Sequence, residues 1–173
     1  MTDDRKKIYI DDDESSGEDE RAKKELLRVL GFVLGGENYC VDIRQMRSVE
    51  RIEHITRVPN APEFVLGATN LRGEAIAVLD IRYILGLQDE DRTGQTRIII
   101  TDAAGDAVGI VADRIIDTID IDEAAIEPPL STLNDRLKEF TKGQAEIEGN
   151  ILILLDLKKI LDCEEINRLK KGE

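Results

Sequence analysis

From about residue 27 onward, apolar residues recur either at every second position or in short unbroken runs, the pattern of strands buried on one or both faces. "VLGFVLGG" and "NYCVDI", meeting at Gly35, Gly36 and Glu37, predict a hairpin. "MRSVERI" follows as a short extended piece, and Pro59 and Pro62 fix "HITRVPNAPEF" as a loop. "FVLGATN" and "EAIAVLDI" flank Leu71, Arg72 and Gly73 as a second hairpin, and "RYILGL" is one helical turn ended by Gly86 before the polar loop "QDEDRTGQ". "TRIIIT" and "AVGIVAD", joined by "DAAGD", predict a third hairpin. In "RIIDTIDI" the apolar residues fall on Ile115, Ile116, Ile119 and Ile121, and the prolines of "IEPP" stop any element. "STLNDRLKEF" fits a helix or a loop, "QAEIEGNILILLDL" is a last hairpin around Gly149 and Asn150, and "LKKILDCEEINRLKK" has a helical period near 3.6. Upstream, "DERAKKELLRVL" (19–30) permits a short helix leading into the first strand. Some nine or ten short strands with turn signals every eight to twelve residues predict an all-β barrel or sandwich, and no internal repeat is strong enough for a solenoid.

A chain of 173 residues, 41% hydrophobic, can fill the core of one domain or of two small subdomains that share one. The first 25 residues carry ten acidic and six basic side chains and little apolar content beyond Ile8, Tyr9 and Ile10, so a disordered acidic tail is expected there, with the folded unit over 26–173. A calcium loop started at Asp12 would place Glu14, Ser16 and Gly17 suitably. Its twelfth position, however, is Lys23, where a bidentate carboxylate is needed. The formal charge of −13 argues against nucleic acid and anionic membrane surfaces, while basic partners remain open. No run reaches the roughly 18 apolar residues of a membrane span, and the start lacks the apolar segment of a signal peptide, which predicts a cytoplasmic protein with no direct membrane insertion.

The inventory restricts chemistry further. Cys40 and Cys163 lie far apart within strand-like and helical patterns, which reads as two buried free thiols. With one histidine, His54, no zinc set can be assembled, and His54 stands beside no nucleophile elbow. No Walker A or GxGxxG sequence is present. Asp42, Asp80 and Asp113 are conceivable metal ligands, but each ends a strand pattern without a second ligand nearby, and strand-end capping, or pairing of Asp80 with Arg82, explains them more simply. No catalytic residue, cofactor or metal is assigned. Arg72 is the residue that asks for a reason: its planar fork of donors suits a carboxylate or backbone carbonyl on another chain, and Gly73 would let such a chain approach. The plain alternative is a solvated turn arginine.

The stretches "YCVDIRQM", "ITRVPNAPEFVLGATNLRGEAIAVLDIR", "AVGIVADRI", "IEPP" and "NILILLDLKKIL", in this order and spacing, resemble the CheW family of chemotaxis coupling proteins from about residue 28 to the C-terminus. The resemblance implies two intertwined five-stranded SH3-like β-barrels with an apolar interface, plus a C-terminal helix. It implies a non-catalytic adaptor between the cytoplasmic helical tip of a chemoreceptor and the regulatory domain of a CheA-type histidine kinase, held at receptor arrays on the inner face of the membrane. Carried over by position, the family's groove falls on Met46, Val49, Arg72, Val108, Gly109, Ile115 and Thr118. An apolar cleft of this sort suits an amphipathic helix, although Val49, Val108 and Ile115 serve equally well as ordinary core. Ser48 stands where an acidic residue is common, so a charge partner for Arg72 is either missing or supplied by Glu50. Ala77 replaces a frequent proline and Arg114 a frequent glycine, while Arg97 and Thr118 occupy positions often apolar in relatives. Two other readings stay open: the same fold as scaffold in a non-motility chemosensory pathway, and a β-barrel that binds a small molecule or nucleic acid. The second lacks the basic, aromatic groove that single strands require.

Overall fold

In the computed structural model, which describes residues 25–89 and 91–171, ten strands and four short helices alternate along the chain. They are β1 (Leu26–Leu34), β2 (Glu37–Asp42), β3 (Ser48–Arg51), β4 (Val65–Leu71), β5 (Glu74–Leu79), α1 (Arg82–Leu85), β6 (Arg97–Ala103), β7 (Asp106–Ala112), β8 (Arg114–Asp122), α2 (Asp135–Glu139), β9 (Thr141–Ile147), β10 (Asn150–Leu155), α3 (Leu157–Leu161) and α4 (Glu164–Lys170). Two five-stranded sheets result, in the orders β8-β1-β2-β10-β9 and β3-β6-β7-β5-β4. Each half of the chain is a hairpin, a single strand and a second hairpin. The first hairpin of each half is completed by the remaining strands of the other half. That exchange is what intertwines the two barrels.

The strands read as near-continuous apolar runs because both of their faces are buried, against different cores. On β1, Leu27 and Val29 join a cluster with Cys40, Ile121, Leu152 and Leu154 inside the first barrel, while Leu30, Phe32 and Leu34 face the other way. On β6 and β7, Ile98, Ile100 and Val111 fill the second barrel with Ile76 and Val78, while Ile99 and Ile110 face out of it. The outward sets from both sheets meet, with Tyr39, Leu79, Leu85, Phe140 and Leu155, in a larger cluster between the barrels. This is the apolar interface that the family resemblance implied.

All four tight hairpin turns use one geometry, two residues with φ above zero: Gly35–Gly36, Arg72–Gly73, Ala104–Gly105 and Glu148–Gly149. This type I′ arrangement matches the twist of the strands it joins. Two turns are therefore tighter than the sequence suggested: only Ala104 and Gly105 of "DAAGD" lie outside the strands, and Asn150 already belongs to β10.

The helices required corrections. β1 starts at Leu26 and Glu25 before it is not helical, so the helical reading of "DERAKKELLRVL" fails over 25–30; residues 19–24 of it, the acidic tail before Glu25 and the calcium-loop alternative lie outside the described residues. The predicted C-terminal helix is two short ones, α3 and α4, separated at Asp162 and Cys163. "STLNDRLKEF" contains α2, capped by Asn134, whose side chain accepts from Leu137 N–H at 2.7 Å and donates to Leu85 O. Among the described residues no helix is long and apolar enough to cross a membrane.

Candidate functional site

Arg72 sits at the tip of the β4–β5 hairpin with φ 51°, and Asn70 secures the turn by accepting Gly73 N–H at 3.0 Å. Its side chain is 75% exposed and its Nη1 lies 3.4 Å from Glu50 Oε2, which also accepts from Ser48 Oγ at 2.9 Å. Glu50 thus supplies the charge partner, and Ser48 orients it. The pair spans the gap between β3 and β4, the two edges of the second sheet. There a groove of about 350 Å³ runs between Glu50, Arg51 and Glu53 on one side and Thr69 to Arg72 on the other, floored by Ile98 and Ile100.

The seven residues expected in the groove fall into two groups. Val108 is buried in the inter-barrel cluster, and Met46, Val49 and Ile115 pack half-buried against it. Thr118, exposed, lies opposite Leu30 across β8 and β1, on the same face. Arg72 and Gly109 belong to the other face of the second sheet. A Cβ on Gly109 would come 2.4 Å from Ile98 Cγ2, so a packing constraint at the back of the Arg72 groove's floor explains this glycine.

Two further openings flank the inter-barrel residues. Met46 lines one of about 460 Å³ with Arg44, Thr101, Asp102 and Lys158, and Val108 lies beside one of about 270 Å³ with Ala77 and Leu79. Ile166 and Leu169 of α4 wall the second opening. That contribution is not legible in the sequence, because a short amphipathic helix does not announce the surface on which it packs.

The strand-end aspartates are occupied. Asp42 caps the 3-10 turn Ile43–Gln45 by accepting Arg44 N–H at 2.9 Å and takes the Arg44 guanidinium at 2.7 Å, which holds its pKa below the usual carboxylate range. Asp80 accepts both the backbone N–H of Arg82, at 3.1 Å, and its guanidinium, at 2.7 Å, the pairing the sequence suggested. Asp113 was not anticipated there: it accepts from Arg82 Nη1 at 3.2 Å and from Gly35 N–H at 2.8 Å. Cys40 and Cys163 are buried free thiols, and burial pushes Cys40 up to about 12. His54 is an exposed loop residue.

A family model for the CheW-like domain matches residues 28–165 of this fold. The chain belongs to the CheW-like family. It is 30% identical over 135 residues to "Chemotaxis protein CheW" of Klebsiella aerogenes, spanning 78% of this chain and 81% of that protein. Identity to the CheW of Thermotoga maritima is 31% over 144 residues, covering 83% and 91% of the two chains. The crystal structure of scaffolding protein TtCheW from Thermoanaerobacter tengcongensis matches with a TM-score of 0.71 at 30% identity, over 82% of this chain and 91% of that one. The CheW-like fold of two intertwined barrels is thus common to chains that share fewer than a third of their residues.

Proposed function

We propose that this protein is a non-catalytic adaptor of chemotaxis signalling, coupling chemoreceptors to a CheA-type histidine kinase. Its receptor-side contact is the helical tip, its kinase-side contact the regulatory domain, and residues 26–173 form the coupling unit. Membership of the CheW-like family across residues 28–165 supports the reading most directly, and the Arg72 hairpin supplies local chemistry: an exposed guanidinium in the wall of an open groove. In this proposal Arg72 and Thr118 touch the partner directly, Met46, Val49 and Ile115 offer partly covered apolar surface, and Val108 and Gly109 shape the surface from beneath. Activity follows from where the kinase is held, so no bond need be made or broken.

Co-elution with the regulatory domain of a CheA-type kinase from the same organism, and pull-down with a receptor tip, test this. Arg72→Ala is expected to weaken at least one coupling while the melting temperature stays within a few degrees, since exposed ion pairs contribute about 0.2–1 kcal/mol. Val108→Asp is expected to unfold the protein, because an unpaired carboxylate would enter the inter-barrel core. Retained binding to both partners by a folded Arg72→Ala protein would remove Arg72 from the interface.

A further inference from the structure

In a chain of formal charge −13, Arg51, His54, Arg92 and Arg97 gather around one open pocket of about 560 Å³, with Glu53 the single carboxylate in its wall among the described residues. Arg51 and Arg97 stand directly opposite each other on β3 and β6, and a like-charge cross-strand pair destabilises a sheet. Among the described residues, Arg51, Arg92 and Arg97 have no ion-pair partner. The walls are ordered all the same: Arg97 Nη1 donates to Gly94 O and Thr96 O, both at 2.9 Å, Thr93 N–H donates to Thr96 Oγ1 at 2.8 Å, and Thr69 Oγ1 donates to His54 O at 2.7 Å. Three guanidinium forks on a fixed frame favour planar oxyanions, and several at once.

We propose that this pocket binds a carboxylate-rich peptide segment, and that its occupant is the chain's own residues 11–20, seated through Asp11 to Glu14. That stretch, "DDDESSGEDE", holds seven carboxylates and no cation. It also reaches. Arg97 pairs with Ala112 at the end of β7, and the nine residues of β8 then carry the chain, at about 3.4 Å each, roughly 30 Å to the point where Leu26 meets Asp122. A chain covers at most about 3.3–3.6 Å per residue, so Asp11 to Glu14 can reach points up to some 36 to 50 Å from Glu25. Tethering at this length gives an effective concentration near millimolar, enough to seat even a weak ligand. The pocket shares Arg51 and Glu53 with the Arg72 groove, so a seated tail screens that surface. This last consequence alone rests on the adaptor reading.

The test reads peptide binding, independently of kinase or receptor. A fluorescent peptide of residues 9–22 is titrated into the full chain carrying Asn or Gln at every carboxylate of 11–20, and anisotropy is followed. Binding is expected, weakened about tenfold between about 50 and 300 mM salt. It should fall about tenfold again with Arg51→Ser plus Arg97→Ser, each guanidinium–carboxylate contact being charge-assisted. Arg92→Ser, on a loop, should weaken binding without moving the melting temperature. The unmodified full chain should bind the peptide at least fivefold less tightly, since its own segment competes. No binding by the neutralised chain, or binding indifferent to the three arginines, would overturn the site. Equal binding by neutralised and unmodified chains would overturn the occupant in favour of an acidic partner in trans. Complete displacement by about 1 mM inorganic phosphate at matched ionic strength would make it a small-anion site and overturn the peptide.

Discussion

Arg72 occupies a backbone position that its own side chain makes costly. A residue with a Cβ at φ above zero stores on the order of 1 kcal/mol, and glycine or asparagine is the comfortable choice at the first place of such a turn. The turn therefore does not explain the arginine, whereas the neighbouring Glu50 and the open groove do. Arg72→Asn is expected to leave thermal stability unchanged or raise it slightly, while coupling to receptor or kinase drops; a melt and a pull-down on one preparation read both. Asp42 carries a different expectation. Its hydrogen bond from Arg44 lowers the folded-state pKa, so its contribution to stability is complete above the ordinary Asp value of about 3.9 and is lost as pH falls through the lower folded value. A series of melts below about pH 4 should show Asp42→Asn with a shallower loss than the unmodified protein, because Asn still caps the turn but has no proton to gain.

Elements in the two halves repeat one another in ways that composition hides. Gly67 on β4 and Gly143 on β9 hold equivalent places. A Cβ at Gly67 would meet Thr56 O at 2.3 Å, and one at Gly143 would meet Glu127 O at 2.6 Å. In each case a loop residue bridges to the strand beside the glycine, Thr56 to Ala68 and Glu127 to Gln144. Both loops carry their prolines just beyond this bridge, at Pro59 and at Pro128 and Pro129. The glycine lets the loop backbone lie against the strand. Gly143→Ala, at ordinary φ, tests the contact free of backbone strain and should cost several kcal/mol, within the about 1–3 kcal/mol overpacking range or above it because backbone is struck; urea titration measures it. The sequence marked both loops by their prolines, but the glycine contacts depend on a strand and a loop at least ten residues apart meeting in space.

At the scale of the molecule, one buried cation joins what the crossed strands interlace. Arg82, following β5 of the second barrel, is 5% exposed in its side chain and reaches Asp80 and Asp113. Asp113, on the link from β7 to β8 where the chain passes between sheets, also holds Gly35 in the first barrel's turn. Arg82→Met would strand Asp80, itself 1% exposed, and is expected to cost about 3–5 kcal/mol in chemical denaturation. Because each sheet borrows strands from both halves, calorimetry should record one unfolding peak that moves as a whole in this variant; two peaks would show barrels that melt independently.

Alternation and turn chemistry by themselves determined the number and kind of strands, the hairpins and the all-β class, because side-chain period and backbone preference are local properties. The Asn-Leu-Arg-Gly turn was likewise legible, as was the pairing of Asp80 with Arg82 two residues on. Tertiary structure decided what depends on distance in space: Glu50 as the partner of Arg72, Val108 and Gly109 on opposite faces of one strand, Asp113 beside Arg82, and the facing arginines of β3 and β6. It also split the C-terminal helical pattern in two at Asp162 and Cys163, where packing of Leu161 and Ile166 into one core outweighs helix continuity. Period marks which residues are buried; only the crossing of the two halves settles which core each one enters.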